Sequence, residues 1–203
     1  MSGIYIHIPV CAQKCAYCDF YSVASPFLLE KLLPLYVQEI KHRKAFFKED
    51  SLPLRTLYFG GGTPSLCKAS DIANLIENCC DTFRTDFSEI TLEANPDDLT
   101  PAYLDALLKT GVNRLSIGVQ TFNNEWLRKM NRRHTASDSE IAIRNARQAG
   151  FRNISIDWIY GLPLSKPEWE KDLECFCKMK VEHISAYHLS IEEHTTLHRM
   201  VRK

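Results

Sequence analysis

The run IYIHIPVCAQKCAYC, residues 4–18, sets an apolar, β-branched stretch directly against three cysteines, with no histidine between the thiols. Residues 3–9, GIYIHIP, read as a strand that a proline closes. The thiols of Cys11, Cys15 and Cys18 therefore sit at the C-terminal end of a strand. The rest of the chain repeats that arrangement, with a strand ending in a residue capable of chemistry.

Cysteine selects soft metals, and the ligand count says which. Structural zinc closes a tetrahedron with four ligands. Here no second pair follows, His7 lies on the wrong side of the run, and Cys67, Cys79, Cys80, Cys175 and Cys177 are scattered. A [4Fe-4S] cluster held by Cys11, Cys15 and Cys18 would keep one iron free of protein for a further ligand. Two other readings compete. Cys15 and Cys18 form a CxxC, which as a thiol redox pair needs a thioredoxin-like βαβ setting and leaves the third thiol unexplained. A disulfide framework needs a secreted chain, and MSGIYIHIPV has neither a basic nor a long apolar leader segment. Cys79–Cys80 and Cys175/Cys177 fall in helical patterns, where free cysteine acts as a small apolar residue.

With 203 residues and 45% hydrophobic content, the chain can bury one sizeable core, so residues 1–203 are expected to form one domain. Lys plus Arg and Asp plus Glu are 25 each, which leaves no global basic footprint for nucleic acid. The local stretch LRKMNRRH, residues 127–134, reads as a solvated helix end. No apolar segment nears the ~18 residues of a membrane span. Eight cysteines without a leader point to a reducing cytoplasm.

Strands are predicted at 3–9, 55–60, 89–94, 113–119, 153–161 and 183–189. Helices are predicted at 27–48, 69–84, 100–110, 124–130 with 137–149, and 167–180, and one begins near the end. Ser70–Asp71, Thr100–Pro101 and Ser137–Asp138 are the expected caps, Gly111 and Gly150 the expected terminators, and Pro34 implies a kink or a late start. Alternating strands and helices imply a parallel α/β sheet. Polar residues at strand after strand end favour one ring-shaped mouth, and six units fall short of the ~250 residues of a closed eight-unit barrel. A partial (β/α)6 barrel, open on one side, is the expected fold.

The mouth collects the cysteine loop, GGGTP at 60–64, Glu93, Gln120 and Asp157. GGGTP lacks the spacing of both phosphate-binding glycine motifs, so its carbonyls suit an ammonium group better than its amides suit a phosphate. Carboxylates such as Glu93 and Asp157 in apolar runs are costly unless something pairs with them.

CxxxCxYC after the first strand and GGGTP after the second resemble the radical S-adenosylmethionine (SAM) superfamily of partial (β/α)6 barrels. YIHIPVCAQKCAYCDFYS, LEANPDDLT, RLSIGVQTF, MNRRHT and IDWIYGLP resemble the branch that contains oxygen-independent coproporphyrinogen III dehydrogenases and HemW-type heme chaperones. The resemblance implies a [4Fe-4S] cluster on Cys11, Cys15 and Cys18, whose open iron takes SAM and whose electron cleaves it to a 5′-deoxyadenosyl radical. By carry-over Tyr5, Gly61 and Glu93 line one SAM position, and Tyr17, Gly62, Thr63, Gln120, Arg132 and Asp157 a second. The arginine suits a carboxylate and the acid suits ribose hydroxyls. The decarboxylating members carry a fourth cysteine two positions after the third, and a long N-terminal extension. Here Phe20 holds that position and Cys11 comes almost at once, which favours the chaperone. The implied partners are heme or a porphyrinogen, an electron donor such as a flavodoxin-type protein, and a heme-acceptor protein. A histidine-containing C-terminal domain of the chaperones would have to follow Lys203, so the chain is expected to be either a fragment or a truncated homologue.

Overall fold

The computed structural model describes residues 2–47 and 53–202. Six parallel strands form one sheet in chain order: β1 (Ser2–Ile8), β2 (Leu54–Gly61), β3 (Glu89–Ala94), β4 (Arg114–Gln120), β5 (Asn153–Tyr160) and β6 (His183–His188). Between them lie α1 (Leu29–His42), α2 (Ala69–Phe83), α3 (Pro101–Leu108), α4 (Asn124–Lys129), α5 (Ala136–Ala149) and α6 (Lys166–Lys178), and the short α7 (Thr196–Val201) follows β6. The edges β1 and β6 do not pair with each other, so the sheet is open on one side, as the strand count implied.

Strand register explains how one sheet carries both a core and a site. Phe59, Leu92, Leu115 and Ile154 are successive partners across β2 to β5, and all are fully buried on the face that the helices cover. Side chains alternate along a strand, so the neighbouring row faces the other way. That row is Glu93, Ser116, Ser155 and His183. The concave face is thus lined with polar groups that bond one another, Ser155 Oγ lying 2.8 Å from His183 Nδ1. A closed barrel fills this space with branched apolar side chains. Here a site occupies it.

The helix termini correct part of the sequence reading. Thr100 caps α3 as expected, its hydroxyl accepting from the Tyr103 amide, and Pro101 opens the helix. By contrast α2 starts at Ala69 after Lys68, with no side-chain cap, so Ser70 and Asp71 lie inside its first turn. Thr135, not Ser137, caps α5, in a reciprocal box in which Asp138 bonds back to the Thr135 amide and hydroxyl. Gly111 and Gly150 hold positive φ where termination was expected. α1 begins at Leu29 and runs through Pro34 to His42. Position 48, the predicted end of that helix, is outside the described residues.

Candidate functional site

The cysteine loop leaves β1 and is held along its length by backbone bonds. The Gly62 and Thr63 amides donate to Ile8 O (2.7 Å) and Val10 O (2.8 Å), and Cys11 N donates to Val23 O (2.9 Å). A Cβ on Gly62 would stand 2.7 Å from Val10 O and 2.8 Å from Ile8 O, so only glycine lets the two loops lie this close. Farther along, Ala16 N donates to Met130 O (2.9 Å) and Asn131 Nδ2 to Lys14 O (2.8 Å). The loop is therefore sewn to the β2 end on one side and to the α4–α5 connection on the other.

Cys11, Cys15 and Cys18 all line one cavity of about 510 Å³ at the C-terminal ends of the strands. Among the described residues no three His, Cys, Asp or Glu side chains converge closely enough to hold a single metal ion. A tetrahedral zinc draws its ligands to one point, whereas a cubane spreads its thiolates over several irons. Burial pushes the Cys18 thiol up, and the neighbouring Cys15 and Cys11 add to it. Their number and shared cavity fit an iron–sulfur cluster.

The rest of the rim converges on the same cavity. Glu93 accepts from Tyr58 Oη (2.8 Å) and from the Gly61 amide (3.0 Å). With the Gly62 and Thr63 amides also engaged, this loop has no free N–H there for a phosphate, in line with its sequence. Asp157 accepts from Ser116 Oγ at 3.4 Å. Burial, followed by the charge of Glu93, pushes its carboxyl up to about 6. Gln120 is buried at a positive φ of 70°, at the end of a slip in the β4–β5 pairing. Tyr17, Gly61, Gly62, Thr63 and Arg132 line the cavity as well. Tyr5 does not: it is 56% exposed and stacks on Tyr58 outside the cavity, its hydroxyl 3.3 Å from His7 Nδ1.

The stretch 127–134 is not the solvated helix end that its charge suggested. Arg132 reaches inward, with Nη1 3.3 Å from Cys15 Sγ and Nη2 donating to Asn95 Oδ1 and Gly118 O, both at 2.7 Å. Burial disfavours its charge, but Tyr17 and Cys15 beside it outweigh that, so the guanidinium stays charged. Its Nε is buried with no partner. His134 is also buried and lies 3.1 Å from Val119 O through Nε2, which must carry the proton because a carbonyl only accepts. Arg133 pairs with Asp97 and Asp98 at 2.7 Å each. Two basic residues turn in and a third meets acids, because the positive φ at Asn131 turns the chain there. Sequence reasoning missed Asn95, Tyr58, Ser116 and His134. Asn95 stands at a strand end, one residue past β3, and was findable on that ground; the others carried no signal.

The raised carboxyl of Asp157 has a consequence for folding. An aspartate ordinarily titrates near 3.9, so between about pH 4 and pH 6 the folded chain binds the extra proton and stability falls as pH rises. Above that window the whole penalty stands. Asp157→Asn is therefore expected to stabilise the ligand-free chain by on the order of 2 kcal/mol at about pH 7.5. Denaturant unfolding at both ends of the window checks it, because the gain should vanish toward pH 4.

Comparison with known proteins points to the same chemistry. The model of the radical SAM superfamily matches residues 5–176. A protein of Lactococcus lactis named heme chaperone HemW is 37% identical over the whole chain, and one of that name from Bacillus subtilis is 36% identical. The chain spans about half the length of these curated relatives, 52% and 54%. The solved coproporphyrinogen III oxidase of Escherichia coli, described as a radical SAM enzyme, superposes with a TM-score of 0.82. It shares 30% identity over 92% of this chain and 43% of its own. Methylornithine synthase, at 16% identity and a TM-score of 0.67, shares the fold.

Proposed function

The chain belongs to the radical SAM superfamily, and on that premise we propose that its cavity binds a [4Fe-4S] cluster and SAM in a protein that carries heme to an acceptor. Cys11, Cys15 and Cys18 would hold the cluster, which when bound supplies one-electron chemistry at a sulfonium. The remaining work falls to the chain. Arg132, with an unpaired buried donor, binds a carboxylate; an unmet donor of that kind is costly, and an anion relieves it. Glu93 keeps lone pairs for an ammonium group beside the glycine loop. Asp157, ionised above about pH 6, accepts from ribose hydroxyls. Gln120 supplies an amide between them. Tyr17 packs against the apolar cluster of Leu127, Met130, Ile159 and Leu162 and closes the cavity floor on that side.

The observation that carries the chaperone reading is Phe20. It lines the cavity mouth and is 71% exposed, at the position where the decarboxylating pattern calls for a fourth thiol. An aromatic at the lip offers a stacking surface to a flat macrocycle. The second reading, oxidative decarboxylation of coproporphyrinogen III, is supported by the structural likeness to the E. coli oxidase. One experiment separates them: the anaerobically reconstituted protein is incubated with SAM and a reductant, first with heme and then with coproporphyrinogen III. Stoichiometric heme uptake without loss of carbon dioxide is the expected result. Vinyl product by mass spectrometry would overturn the chaperone reading. An electron donor of the flavodoxin type and a heme-acceptor protein are the partners this reading requires.

A further inference from the structure

Asp172, on α6, does not line the cavity, yet it is only 4% exposed, and no cation pairs with its carboxyl group among the described residues. Its Oδ1 accepts from the Phe122 amide at 2.6 Å, its Oδ2 from Trp158 Nε1 at 3.2 Å, and both oxygens lie 3.0 Å from Thr121 Oγ1. A buried, unpaired carboxylate is an expensive way to hold a helix on a sheet, because apolar packing of equal volume would do so at lower cost. What distinguishes its three donors is where they sit. Thr121 and Phe122 follow Gln120, and Trp158 follows Asp157. From the other side Arg132 donates to Gly118 O and His134 to Val119 O.

We propose that Asp172 is a positioning residue that clamps the ends of β4 and β5 so that Gln120 and Asp157 present their side chains to the cavity. Gln120 holds a positive φ that a side chain resists, at a slip in the strand pairing. If Gln120 relaxes to a negative φ, its side chain and the chain that follows it are re-aimed. Gln120 is then no longer held toward the cavity in this orientation. The carboxylate prevents this by accepting from both residues that follow it.

The test rests on the reading that this cavity binds SAM, and it is built to fail separately from that reading. In Asp172→Asn the amide can keep accepting from Phe122 and Thr121 through its oxygen, but its NH2 group then meets the Trp158 N–H, donor against donor. SAM affinity of the reconstituted protein is expected to fall at least about tenfold while the cluster's own spectrum stays unchanged. Adding Trp158→Phe removes the opposing donor and should bring SAM affinity back to that of Trp158→Phe alone. Leu104→Ala, in the core under α3 and away from these residues, lowers the melting temperature without touching the clamp, and should leave SAM affinity unchanged. Loss of melting temperature in Asp172→Asn at wild-type SAM affinity would overturn the proposal and leave Asp172 a packing residue. If the wild-type protein itself does not bind SAM, the cofactor reading fails, and a crystal structure of Asp172→Asn decides the clamp. Gln120 in an extended conformation supports it, and Gln120 still at positive φ overturns it.

Discussion

Replacing any one of Cys11, Cys15 and Cys18 by alanine is expected to leave a folded chain that no longer assembles its iron and sulfide. Three ligands leave no redundancy, so each loss removes a third of the shell. The folding cost is small by comparison: a truncated thiol at a cavity wall costs about 1 kcal/mol, in the ordinary range of point substitutions. Cys79→Ala is the control. That thiol is fully buried in α2, and burial pushes it up to about 12, so it stays protonated and apolar. Iron and labile sulfide after anaerobic reconstitution should be nearly absent in the three loop variants and at wild-type level in Cys79→Ala, with melting curves recorded on both. Equal iron in a loop variant and the wild type would remove that cysteine from the ligand set.

Arg132 is expected to be the next most sensitive position, and through two channels. Arg132→Met strands the Asn95 Oδ1 and Gly118 O acceptors in a buried setting, at about 1–3 kcal/mol for each. It also removes the donor that meets Cys15 Sγ at 3.3 Å. Arg132→Lys separates the two effects. The charge survives, but an ammonium on a flexible stem cannot span the sulfur, the amide and the carbonyl together as a planar fork does. Partners that orient metal ligands typically matter by roughly 10–100-fold in metal retention, and that loss is expected in both variants. Stability should fall much further in Arg132→Met. Iron release to a chelator, followed beside thermal unfolding, measures the two separately. Wild-type retention in Arg132→Met would mean that the guanidinium serves the fold alone.

The sequence revealed the parts of this molecule that repeat or that carry unusual chemistry. Strand and helix alternation placed all six strands to within two residues, because apolar runs of this length have one way to be buried under helices. The three cysteines, the glycine loop, Glu93, Gln120 and Asp157 were visible because strand ends share one rim. What stayed hidden depends on a turn or on partners far away in the chain. LRKMNRRH looked solvated because charge alone cannot show that Asn131 reverses direction and sends Arg132 and His134 inward. Ser70 and Ser137 looked like caps, but Lys68 and Thr135 start those helices, since a cap is chosen by where the packed face begins. Tyr5 alternates onto the concave side of β1, yet the open sheet edge leaves it outside the cavity. Asp172 carried no signal of its own in the sequence, because the donors that give it meaning come from β4 and β5.

The decisive measurement is electron paramagnetic resonance of the anaerobically reconstituted, dithionite-reduced protein, recorded with and without SAM. A reduced four-iron signal that shifts when SAM is added is the expected result, since it requires both an iron left open by Cys11, Cys15 and Cys18 and a rim that brings SAM to it. A well-folded protein with no cluster signal, or a cluster whose signal SAM leaves unchanged, would contradict the assignment of this cavity.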